Sequence, residues 1–219
     1  MSATSQPEGL TKARIEALTD GVFAIAMTLM IFNIHVPQFV HSPSAVGLGR
    51  SLAHLWPSFI GYAISFFVLG IYWVGHHNQF HFIRKTDRNF LWLNLLFLFS
   101  VTLIPFSAAL IGQYSDQRTA VTFYGANLIA TGLFLFAVWK YATNGRRLVD
   151  ADLSSEVVRK ASQRILIAPV AFVLAIILGF VNTRASLALY AAVTIYYFLP
   201  SGIDMHWQAR DRKLKPPTA

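Results

Sequence analysis

Cysteine is absent from all 219 residues, which excludes disulfides, thiolate metal sites and cysteine nucleophiles. Charge is also scarce: Asp, Glu, Lys and Arg make up 13% of the chain, against about 25% in an ordinary soluble domain. Acidic residues are the rarer kind, 10 against 18 Lys and Arg. So little charge cannot cover a water-soluble surface, and the main solvent of this chain is lipid. The surplus of +8 does not point to nucleic acid, because the basic residues stand in short segments between long apolar runs and not on one polar face.

What fills the sequence is apolar: 55% of residues are hydrophobic and the mean hydropathy is +0.49. A membrane-spanning helix needs roughly 17 to 25 mostly apolar residues. Six segments qualify: Thr11 to Ile34, Ser51 to Gln79, Asp87 to Gly112, Thr119 to Ala142, Gln163 to Val181 and Ser186 to Met205. Nothing is left over for a soluble domain, so residues 1–219 read as one all-α, six-helix transmembrane domain with short tails. Arg14, Glu16 and Asp20 interrupt the first apolar run, unlike the core of a cleavable signal peptide, and that helix is expected to stay. With no targeting segment read, a prokaryotic plasma membrane is the expected location.

Lys and Arg fix the expected orientation, since cytoplasmic flanks retain positive charge. Lys12 and Arg14 precede helix one, and Arg84, Lys85 and Arg88 join helices two and three. A further group from Lys140 to Arg164 joins helices four and five, and Arg210, Arg212, Lys213 and Lys215 follow helix six. The opposite side keeps Arg50, Arg118 and Arg184, so both termini face the cytoplasm. The basic tail lies close to membrane lipid, and fixing topology is reason enough for it. Pro37, Pro43, Gly47 and Gly49 punctuate His35 to Arg50 as a loop. Pro105, Pro169 and Pro200 fall within or near apolar helices and read as kinks rather than sites.

The first helix carries ionisable groups where they are expensive, so each needs a protein or water partner. Arg14 and Asp20 lie about 240° apart around a helix and cannot pair with each other. Their partners are expected on other helices, with Trp73, His76, His77, Asn78 and Asn94 as donors and acceptors for a buried carboxylate. An interhelical lock that sets the pose of helix one and a network needed only for folding both fit this set. Relative to Ile25, Leu29 lies about 40° away, Phe32 about 20° and Thr28 about 60°, so they form one narrow stripe, with Asp20 about 140° off it. Spacing alone reads as packed core, since the other faces of the helix are apolar too.

The string Arg14-x-x-x-Leu18-Thr19-Asp20-Gly21, followed by an apolar helix, resembles the Arg-x-x-x-Phe-Ser-Asp signature of the family that includes transmembrane protein 175, the endolysosomal potassium channel, and its prokaryotic relatives. The stretch Trp73 to His77, and the stretch Asn94 to Phe106 with its Asn94-Leu-Leu and Pro105-Phe106, resemble the family's second and third helices. Leu18 stands where the family has Phe, losing an aromatic contact, and Thr19 where it has Ser, keeping the hydroxyl. The resemblance implies a homotetramer in which four copies of helix one line a path for K+ and other monovalent cations, with no cofactor and no carbonyl filter. Nothing like Thr-Val-Gly-Tyr-Gly occurs here. By position after the signature aspartate, it implies Ile25 as the principal apolar constriction, Leu29 and Phe32 further along, and Thr28 as a hydroxyl layer; such a ring gates by dewetting. An ideal straight helix then puts Arg14 on the stripe of Ile25, so either the helix bends near Gly21 or a partner draws Arg14 aside.

Two other readings compete. A proton-coupled transporter would relay protons through Asp20 and His76 or His77, but it lacks visible internal repeats and interrupted midplane helices. A metal-dependent membrane enzyme would use His76, His77 and His81, a thin coordination set without matching carboxylates; no structural metal and no catalytic residue are expected.

Overall fold

In lipid every backbone N–H and C=O has to be satisfied within the chain, so apolar runs of this length fold as helices. The computed structural model describes residues 11–37 and 45–198, and among them the only extended pairing is an isolated bridge between Ile83 and Val149. The helices are α1 (Lys12–Leu29), prolonged by a 3₁₀ turn Met30–Asn33, α2 (Ala45–His54), α3 (Trp56–Phe82), α4 (Arg88–Thr102) and α5 (Ile104–Gln113). They are followed by α6 (Arg118–Thr143), α7 (Ser155–Gly179) and α8 (Thr183–Phe198). Five helical stretches are long and apolar enough to cross a membrane: Lys12–Asn33, Trp56–Phe82, Arg88–Gln113, Arg118–Arg146 and Ser155–Gly179. The sixth expected span coincides with α8 as far as Phe198, and its remainder to Met205, with Pro200, lies outside the described residues. The chain is an all-helical, multi-pass membrane protein.

Three expectations need correction. Residues 45–50 are helical, as part of α2, where a loop was expected. Pro43 precedes that helix, and Gly47 and Gly49 weaken it by only about 1 kcal/mol each, which is too little to forbid it. Helix two begins at Trp56 rather than Ser51, because Pro57 falls in its first turn, where a missing N–H costs nothing. Helix five begins at Ser155, well before Gln163, since the Ser154 hydroxyl accepts the Glu156 N–H (3.2 Å) and Lys160 pairs with Glu156 at 2.7 Å. Apolarity alone cannot detect such a polar first turn.

The third span is broken at Leu103, just ahead of Pro105. Pro169, by contrast, sits inside an unbroken α7 and is buried against α6, where a Cβ on Gly132 would lie 2.6 Å from Pro169 Cγ. A Cβ on Gly179 of α7 would likewise lie 3.0 Å from Val121 Cγ1 of α6, so small residues bring these helices into close contact. At one end of the bundle the α3–α4 and α6–α7 connections are clasped together. Arg84 bonds Asp150 at 2.9 Å, and the Arg84 N–H donates to the Leu148 carbonyl at 2.8 Å.

Candidate functional site: helix α1 and its anchors

Ile15, Thr19, Phe23, Ala26 and Met30 are the buried residues of α1 and its 3₁₀ extension, spaced by four, four, three and four. That spacing makes one face, and it turns toward α3, α4 and α5. The opposite face is uncovered in the subunit: Leu18 is 49% exposed, Ile25 60%, Leu29 50% and Phe32 74%. Arg14, Gly21, Ala24 and Thr28 are exposed with them, and no atom stands within 4 Å of the place a Gly21 Cβ would take. The Thr28 hydroxyl donates back to the helix, to Ala24 O at 2.8 Å with Ile25 O at 3.0 Å. Its proton is thereby used, and only its lone pairs face outward.

Two sets of polar bonds hold this helix. The first is buried: Asn94 Nδ2 donates to Thr19 Oγ1 at 3.4 Å, and Asn94 Oδ1 meets His76 Nε2 at 2.9 Å. An amide oxygen only accepts, so that imidazole nitrogen carries the proton. The His76 ring stacks on Phe80 (centroids 4.2 Å apart) and Phe97 (5.5 Å), and Phe97 in turn touches Phe23 of α1 at 5.9 Å. The second set is on the flank: Trp73 Nε1 donates to Asp20 Oδ1 at 2.8 Å, and Trp73 stacks on His77 at 5.8 Å.

The structure therefore brings Thr19, His76 and Asn94 into one cluster and Asp20, Trp73 and His77 into another. Two expectations change. Asp20 is exposed in the subunit rather than buried, because it lies on the edge of α1 beside α3, and Thr19 is the residue that enters the core. Arg14 finds no side-chain partner among the described residues; α1 runs unbroken through Gly21 and leaves Arg14 exposed on the face of Ile25. His81 is exposed, away from the buried His76. Sequence reasoning missed Asn33, whose amide donates to the Pro105 carbonyl at 3.0 Å and ties the end of α1 to the break in the third span. The signal was there: a lone amide closing an apolar run needs a partner.

Comparison with known proteins follows the same helices. The sequence model of the family described as the endosomal/lysosomal potassium channel TMEM175 matches residues 14–105, from the first residue of the signature to the proline break. A potassium channel of Streptomyces collinus is 34% identical over 84% of this chain and 90% of its own length. The endosomal/lysosomal proton channel TMEM175 of Mus musculus is 32% identical over 61% of this chain but only 28% of its own length. Among solved structures, a lysosomal potassium-selective channel TMEM175 homolog from Chamaesiphon minutus superposes with a TM-score of 0.75 at 33% identity, covering 85% of this chain and 95% of that one.

Proposed function

The chain belongs to the TMEM175 family, and from that premise we propose that it is one subunit of a homotetrameric, potassium-leaning cation channel in the cell membrane, with both termini cytoplasmic. Four copies of α1 surround the conduction path, and Ile25 forms the narrowest apolar ring, with Thr28, Leu29 and Phe32 beyond it. The observation that carries this reading is the two-faced character of α1. One face is pinned to the bundle by Thr19, while the other is uncovered and combines Ile25, Leu29 and Phe32 with Arg14 and Thr28. Arg14 stands in the first turn of α1, where a long side chain reaches interfacial water from either surroundings, so it favours neither. The reading is supported by the uncovered stripe through Ile25, Leu29 and Phe32 on a helix that carries the family signature.

An ion at the Ile25 ring sheds water and gains no ligand, so the ring closes by dewetting and opens by widening. Thr28 offers the nearest oxygens, and with its proton committed to the helix it presents lone pairs, which suit a cation. The clusters around His76 and Trp73 set the pose of α1 and thereby the width of the ring. The experiment is single-channel recording of the purified protein in a planar bilayer under a potassium/sodium gradient. Ile25→Asn puts an amide in each subunit's share of the ring and raises the current at least severalfold. An unchanged current at equal protein levels rejects the assignment.

The name of the mouse relative supports a second reading, in which protons share the path. A pH gradient imposed in the same bilayer separates the two, since a proton current shifts the reversal potential with pH and a potassium current does not. A coupled relay through Asp20 and His76 has less support, because Asp20 is engaged by Trp73 and His76 by Asn94, in separate clusters.

A further inference from the structure

Helix α1 changes its winding at the end. From Met30 to Asn33 it tightens into a 3₁₀ turn, closed by the Ile34 N–H on the Ile31 carbonyl at 3.1 Å, and Ile34 itself is extended. Three residues complete a 3₁₀ turn, so side chains three apart eclipse one another. Phe32 therefore stands in line with Leu29 on the open face, and Asn33 in line with Met30 on the buried one. With α winding throughout, at about 100° per residue, Phe32 would fall about 60° short of the Leu29 line.

A 3₁₀ turn needs a reason to persist, because its hydrogen bonds are poorer than those of an α-helix. Packing leaves slack here: a cavity of about 30 Å³ behind the turn, bounded by Met30, Asn33, Tyr62, Ala108 and Gln113, has room for a water molecule or two. The specific hold comes from outside the helix. Asn33 Nδ2 donates to the Pro105 carbonyl at 3.0 Å, and Pro105 lies in the first turn of α5, which packs on the same 3₁₀ segment.

We propose that Asn33 is a positioning residue: its bond to Pro105 keeps the end of α1 in the 3₁₀ winding, and that winding aims Phe32 in line with Leu29. Without the bond the turn relaxes to the better hydrogen-bonded α form, and Phe32 swings about the helix axis by roughly 60°. The break in the third span thereby acquires a role, since it presents the carbonyl that receives the amide. The consequence for conduction rests on the reading of the open face of α1 as a path; the positioning itself does not.

The chain has no cysteine, so introduced thiols are the only labelling sites. Full-length protein with Phe32→Cys is paired with a reference label at Tyr114→Cys, just beyond α5, or at Trp56→Cys, at the start of α3, both exposed positions. Spin-labelled chains are co-assembled with an excess of unlabelled ones, so that pulsed dipolar spectroscopy reads distances within one chain. Asn33→Leu shifts at least one of the two distances, by up to about 5 Å, the chord of such a swing at the outer radius of a helix. Asn33→Gln keeps the amide, has the cavity behind it for its extra methylene, and returns both distances to their original values. A label at Leu29→Cys in place of Phe32→Cys does not move. Unchanged Phe32→Cys distances in Asn33→Leu, or an equal shift of the Leu29→Cys label, overturn the proposal, as does a Gln variant that behaves like Leu. Asn33→Ser, too short to reach Pro105, gives the same reading if the leucine variant does not fold. In a planar bilayer, Asn33→Leu then alters the single-channel conductance and Asn33→Gln does not. A shifted label with unaltered conductance counts against the path and leaves the positioning by Asn33 supported.

Discussion

Helices α1 and α6 are both long and apolar enough to cross a membrane, yet 28% of the most apolar stretch of α1 is buried inside the subunit against 50% for α6. The chain itself completes α6. Its Thr131 hydroxyl donates to the Asn127 carbonyl, the Asn127 amide reaches Ser107 on α5 at 3.0 Å, and Tyr72 of α3 donates to its Leu128 carbonyl at 2.6 Å. Its glycines press on α7 from the other side. Helix α1 spends its polar groups differently: they hold one face and one edge, and everything opposite is left open. A helix held by neighbours on several sides, with Phe123 and Leu133 left exposed, is a scaffold. A helix completed on one side keeps a surface for something outside the subunit, and its attachments are few enough for its pose to change.

Glycines on the two helices give the largest contrast. Gly132→Leu drives a side chain into the Pro169 ring, which cannot swing aside, and overpacking of this kind costs about 3 kcal/mol. The monodisperse folded protein should be lost, as read by size-exclusion chromatography. Gly21→Ala on α1 meets open space and removes a helix-weakening glycine, so melting should hold or improve by up to about 1 kcal/mol. A large loss at Gly21 would mean that the open face is more tightly covered in the assembly than a wide path allows. Asn94→Leu comes next. It strands the His76 N–H in the core and releases Thr19, at a cost of about 1–3 kcal/mol, seen as a fall in melting temperature of roughly 2 °C or more. If melting does not change, the buried cluster does not hold α1.

The residue pattern made five of the six expected spans legible because apolar length is a strong signal in lipid, and proline as a kink held at Pro105, where the third span breaks, but not at Pro169, inside an unbroken α7. What it hid were features that carry little apolarity: α2, the polar first turns of α7 and the start of α3 at Pro57. In the site, the membership of Thr19, Asp20, Trp73, His76 and Asn94 could be read from a motif and from the expense of polar groups in a membrane. Their division into a buried and an exposed cluster could not, since Thr19 and Asp20 are sequence neighbours and about 100° of helix rotation sends one into the core and the other to the edge. The bond from Asn33 to Pro105 depends on which helices become neighbours, and no single helix carries that information.

The smallest change sharpens the comparison most. Trp73→Phe removes the indole N–H that reaches Asp20 and keeps an aromatic ring to stack on His77. Both partners are exposed in the subunit, so melting should shift by no more than about 1 kcal/mol, the upper range for an exposed polar contact. On α6, a loss of that size would have no further consequence, because the remaining contacts hold the helix in one place. On α1 the flank bond and the Thr19 cluster together fix rotation, so loss of the flank bond should alter the open probability while leaving melting nearly untouched. Asp20→Asn retains an oxygen for the same indole N–H and should keep the original gating. Should Trp73→Phe instead behave like the unaltered protein in both measurements, the buried cluster alone would orient α1, and the helix would be held more like α6 than its open face suggests.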